Sequence, residues 1–250
     1  MRTYLLEAKY EFLKALRNPA YALPTILFPV IFYYFFGVMF GGKQTGNVKM
    51  AEYLLATYGT FGVIGAALFG FGVTVAVERG HGWLEAKRTT PMPIASYFVA
   101  KLAMAMIFSA IVMLLLFTMA ALFTKVSLSP VEAVSLFATC IAGSITFCAL
   151  GLAVGFIAGP SSAAPIVNVI YLPMAMISGL WVPIQFLPEG LQKFAYVMPP
   201  YHFSQLALRT IGASRGEPLL LHVGVMAASA LLFAGIAYLG YRRETGAALV

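Results

Sequence analysis

The chain is expected to be an all-α membrane protein with six transmembrane helices, an N-terminal amphipathic interfacial helix, and short re-entrant external helices before the last span. Three observations predict this. Of its 250 residues, 61% are hydrophobic and 10% are charged, with no aspartate at all; an ordinary soluble domain carries about 25% charged side chains. The apolar runs are mostly long enough for the roughly 20 residues that a helix needs to cross a bilayer, and too continuous for the alternating pattern of barrel strands. The basic residues, finally, cluster beside the ends of these runs rather than within them.

Residues 3–17 open the chain as an amphipathic helix. Leu5, Ala8, Phe12 and Leu16 share one face, and Glu7, Glu11, Lys14 and Arg17 share the other. Such a helix lies in the interface plane, with its apolar face in the acyl boundary and its charges towards water. Asn18-Pro19 ends it. Spans are expected at residues 20–40, 53–77, 97–123, 131–158, 163–182 and 219–241. The first is preceded by charge and lacks the short core and cleavage site of a secretory signal, so it is expected to remain in the mature protein.

Between the second and third spans, residues 77–101 form the most densely charged internal stretch, which suits a cytoplasmic loop that docks a soluble partner. Orientation follows from counting bases. Arg2, Lys9, Lys14, Arg17, Arg79, Lys87, Arg88, Lys101, Arg242 and Arg243 fall on one side, and Lys43, Lys49, Lys125, Lys193, Arg209 and Arg215 on the other. The richer side is the cytoplasmic one, so both termini are expected inside. The net charge of +7 is explained by this flanking pattern and by anionic headgroups, with no nucleic acid required.

Small residues recur four apart in the second span (Gly62, Ala66, Gly70) and the fourth (Gly151, Gly155, Gly159). They permit close helix packing, either within one subunit or at a dimer seam. The fifth span carries Pro165, Asn168 and Pro173 and is expected to kink; Asn168 should face another helix or a cavity, or line a path. Residues 183–218 read as an external segment with two short helices, broken at Pro199-Pro200, and a re-entrant element where surrounding protein satisfies its backbone. Phe61, Gly65 and Phe69 lie on one stripe of the second span. With Asn168 and the adaptable Met174 of the fifth, they are the expected lining of a substrate path.

Several chemistries lack their residues. There is no G-x-x-x-x-G-K-[ST] loop, so ATP hydrolysis by that route is excluded for this chain. Ionisable residues are confined to the ends of the spans, which weakens an ion-coupled transporter. The three histidines, His81, His202 and His222, read as scattered, and no metal site is expected. Cys140 and Cys148, eight residues apart on one helix, are about 12 Å apart and cannot pair.

Glu78-Arg79, Gly82, Glu85, Thr90-Pro91, Tyr97 and Lys101 resemble the pattern after the second span in permeases of the ABC-2 type, the membrane subunits of ATP-binding cassette exporters. The later Ser178-Gly179-Leu180-Trp181-Val182-Pro183, Leu187-Pro188 and Met198-Pro199-Pro200-Tyr201 look like that family's external segment. The resemblance covers nearly the whole chain as a single transmembrane domain. It implies a non-enzymatic permease that pairs with a second copy or a related permease, and with two ATPase subunits that bind ATP and Mg; this chain itself binds no cofactor. It implies that Glu78, Arg79, Gly82, Glu85, Arg88 and Pro91 couple to the ATPase, with the interfacial helix (Leu5, Phe12, Leu16) beside them, and that the path runs near spans two and five. The expected role is export of an apolar or amphipathic, drug-like or lipid-like substrate across a prokaryotic plasma membrane. The alternative is a non-transporting scaffold or signalling partner whose loop docks a soluble domain.

Overall fold

A computed structural model describes residues 2–90, 92–124 and 126–247 of the protein. Helix α1 (Arg2–Leu16) is followed by α2 (Pro19–Phe40), whose first residue is a proline at the position where a missing N–H costs nothing. A short antiparallel hairpin, β1 (Gln44–Thr45) and β2 (Val48–Lys49), turns at Gly46, where φ is +59°. Next comes one continuous rod, Met50–Gly80, made of α3 (Met50–Ala67), a π-helical turn (Leu68–Val73) and α4 (Thr74–Gly80). The remaining elements are α5 (Trp83–Arg88), α6 (Ile94–Phe123), α7 (Pro130–Ile157), α8 (Ala163–Ile177), a 3-10 turn (Ile184–Phe186), α9 (Glu189–Ala195), α10 (Pro199–Arg209) and α11 (Leu219–Ala247).

The rod is the core. Of its most apolar stretch 78% is buried, against 28% for α2 and 11% for α11, which turn apolar side chains outward as lipid-facing helices do. Burying apolar surface gains little between helices in lipid, so small residues decide who packs on whom. A Cβ on Gly62 would lie 2.6 Å from Val112 and 2.8 Å from Pro29, and one on Gly70 would lie 2.6 Å from the Tyr21 hydroxyl. The second-span series therefore packs inside the chain, against α2 and α6. Gly151 and Gly155 likewise meet the π-helical turn and Val75 of α4, with Gly72 and Gly151 backbone to backbone.

Among the described helices, five are long and apolar enough to cross a membrane. The fifth expected span is shorter than the sequence suggested: α8 has 15 residues, about 22 Å at 1.5 Å each. Its stop is local. Gly179 adopts φ +77°, and the Leu180 N–H reaches back to the Ala175 carbonyl at 3.1 Å, the capping arrangement that a left-handed glycine makes possible. At the opposite end of the molecule from α5, the Ser129 hydroxyl accepts the Glu132 N–H at 3.3 Å and the Glu132 carboxylate accepts the Ser129 N–H at 2.7 Å, starting α7. The buried Glu52 accepts N–H groups from Lys49 and Ser127, which holds the hairpin and the α6–α7 connection together at that end.

The two short helices expected before the last span are present as α9 and α10. α10 is buried along most of its length against α3, α7 and α11. Its Phe203 fills the space over Gly143 and stacks on Phe147, with ring centroids 5.6 Å apart. His202 and His222 are not scattered as the sequence suggested. Their Nδ1 atoms are 2.9 Å apart, because the loop after α10 folds α11 back beside it. The His202 Nε2 lies 2.9 Å from the Tyr196 carbonyl, which can only accept, so that nitrogen carries a proton. Glu217 completes the group, 3.3 Å from His222 Nε2 and accepting the Tyr201 hydroxyl at 2.6 Å. Burial first, and then this carboxylate, push the Tyr201 hydroxyl well above its ordinary pKa, so it stays a donor. Among the described residues no group of three or more His, Cys, Asp or Glu is placed to hold a metal ion.

Candidate functional site

Charged side chains gather where α1, α4 and α6 meet. An isolated lysine in an apolar helix needs a partner, and Lys101, 1% exposed, has two: its Nζ is 2.6 Å from Glu11 and 2.7 Å from Glu78. Glu78 also accepts the Tyr97 hydroxyl at 2.5 Å and pairs with Lys14. Lys87 pairs with Glu7 and lies 3.8 Å from Glu11. Three carboxylates and three ammonium groups thus close into one network.

This network corrects the expected facing of the first helix. Tyr4, Ala8, Glu11 and Ala15 turn towards the bundle, whereas Leu5 and Leu16 are 73% and 46% exposed. Phe12 packs on Phe108 of α6 at 5.6 Å. The glutamates face inward rather than to water because buried Lys101 and half-buried Lys87 lie there to receive them, and the freed apolar side is left for lipid.

The residues singled out for coupling separate into two sets. Glu78 is buried in the network. Arg79 turns inward too: its guanidinium donates to the carbonyls of Phe156 and, at 2.7 Å, Ala158, satisfying the orphan carbonyls at the end of α7, and its Nε is 3.6 Å from Glu244 of α11. Gly82, at φ +71°, makes the turn into α5, which glycine alone adopts freely. Glu85 is exposed, as is Trp83 at 52%. Pro91 and the side chain of Arg88 lie outside the described residues.

Directly above the network is a cavity of about 510 Å³ between α2, the rod and α8. Phe61, Gly65, Phe69 and Asn168 all line it. Met174 does not; it packs against the main core, because its position on α8 turns it away from the face that carries Asn168. Tyr171, missed in the sequence, forms one wall. It stacks on Phe61 with centroids 4.7 Å apart, donates to the Phe61 carbonyl at 2.7 Å, and occupies the space that a side chain at Gly65 would need. A tyrosine inside an apolar span was the available signal, since its hydroxyl requires a partner there. Phe28, Pro24 and Leu172 complete apolar walls, while Lys14, Asn18, Thr74 and Glu78 make the lower end polar.

This arrangement has known relatives. The profile of a family described as "ABC-2 type transporter" matches residues 4–211. The chain is also similar to the Bacillus subtilis (strain 168) protein named "Putative transport permease YvfS", 27% identical over 223 residues that cover 89% of this chain and 90% of that one.

Proposed function

Because the chain belongs to the ABC-2 type transporter family, we propose that it is the membrane-spanning permease subunit of an ATP-driven exporter that moves an apolar or amphipathic, drug-like or lipid-like substrate across a prokaryotic plasma membrane. Hydrolysis takes place in separate ATPase subunits, two per complex, which bind ATP and Mg. A second permease, the same or related, completes the path. The observation that carries this reading is the cavity itself: four expected path residues line one space whose floor is the charge network of the docking loop. In this reading exposed Trp83 and Glu85 touch the ATPase. Glu78, Arg79 and Lys101 pass the displacement of the loop to the rod, α7 and α11.

The test is co-purification with a candidate ATPase and reconstitution into vesicles. ATP turnover should respond to hydrophobic substrates, and the double variant Trp83→Ala, Glu85→Ala should insert normally yet lose most of that response. A complex that turns over ATP identically with and without the permease, or a double variant with undiminished transport, would refute the assignment.

A further inference from the structure

We infer that the cavity takes a single-chain amphiphile with an anionic head, seated with its head at Lys14 and Asn18 and its chain along Phe28, Phe61 and Phe69. This rests on the reading of the cavity as the cargo site and adds the sign of the cargo's charge. At about 510 Å³ the space falls within the range of small-molecule sites, roughly 300–1,000 Å³. The charged side chains among its described lining residues, Lys14 and Glu78, both lie at one end of it, which fixes the orientation of an amphiphile.

The sign follows from which charges remain available. Glu78 faces the cavity, but its side chain is 7% exposed, whereas that of Lys14 is 44% exposed. Glu78 is held by Lys101 at 2.7 Å and by Tyr97 at 2.5 Å, so it stays compensated when Lys14 turns to a ligand. Glu11 is satisfied by the same Lys101. A cationic head would therefore meet the ammonium of Lys14 and find each nearby carboxylate engaged. Lys14 is the one lysine or arginine among the described residues that line the cavity, and an anionic head meets it beside Asn18. The Lys14 ammonium also lies 4.6 Å over the Trp83 ring, an attraction that helps to hold it beside Glu78.

The experiment uses the full chain in phosphatidylcholine nanodiscs and three probes of equal chain length: laurate, lauryl phosphocholine and lauryl trimethylammonium, each corrected for uptake by protein-free nanodiscs. Laurate should bind about tenfold more tightly than the other two, the scale of one charge-assisted hydrogen bond. Lys14→Gln should abolish that preference, Lys14→Arg should retain it, and Ala164→Phe, which fills the cavity, should remove all binding. Equal or tighter binding of the zwitterionic or cationic probe overturns the anionic head, as does a preference that survives Lys14→Gln. Binding that survives Ala164→Phe overturns the site. If no probe binds at all, the reading of the cavity as a cargo site falls with it.

Discussion

At the scale of single residues, Lys101 has the largest expected effect. Removing one member of a buried ionic group leaves its partners uncompensated at about 3–5 kcal/mol, and Lys101 serves both Glu11 and Glu78. Lys101→Met should therefore markedly lower the unfolding temperature in detergent, while the double variant Glu11→Gln, Glu78→Gln in the Lys101→Met background should recover part of the loss. An unchanged melting curve for Lys101→Met would mean that the network is ornamental. Lys101 was visible in the sequence as a charge near the start of the expected third span, but its partners were not, since they lie 90 and 23 positions away. The histidine pair was hidden for the same reason. Nothing in the spacing of His202 and His222 reveals that a tight loop stacks their helices, whereas the cavity stripe of Phe61, Gly65 and Phe69 follows directly from helical periodicity.

Among elements, the contact of the rod with α7 admits the least change. A Cβ on Gly72 would lie 2.9 Å from the Gly151 carbonyl oxygen, an atom of backbone that cannot swing aside. Gly72→Ala should destabilise by about 1–3 kcal/mol, as overpacking does, and Gly72→Val by more, both read from thermal unfolding. Exposed Gly224, with open space around it, should accept alanine with little effect and serves as the comparison. The existence of the long helices was legible, because long apolar runs bounded by Pro and Gly leave few alternatives; the short α5 was not, since residues 77–101 read as a loop. The facing of α1 was not: its two stripes are equally plausible outward surfaces until the position of Lys101 is known. The length of α8 was also obscured, because Leu180, Trp181 and Val182 continue the apolar run after Gly179 has already ended the helix.

For the molecule as a whole, different groups tie the helices together at the two ends. Arg79 ties α4 to α7 and α11 at one end, while Glu52 and the Tyr58–Trp181 hydrogen bond gather the hairpin and the segment that follows α8 at the other. In intact cells, a cysteine replacing exposed His81 should stay unlabelled by a membrane-impermeant thiol reagent, and one replacing Lys193 should react; the native Cys140 and Cys148 are buried and give no background. Labelling at position 81 from outside would reverse the orientation. The rod that joins these ends does not transmit position at a constant pitch. Its π-helical turn, Leu68–Val73, stores one residue more than an α-helix would use, the usual content of such a bulge. Each residue is worth about 100° of rotation, so the turn sets the phase between Phe61 above and Glu78 below, like an offset between two gears on one shaft. Excising a single residue within it would leave both ends chemically intact and mistimed: the aromatic stripe would still face the cavity while the carboxylate swung away from its lysines.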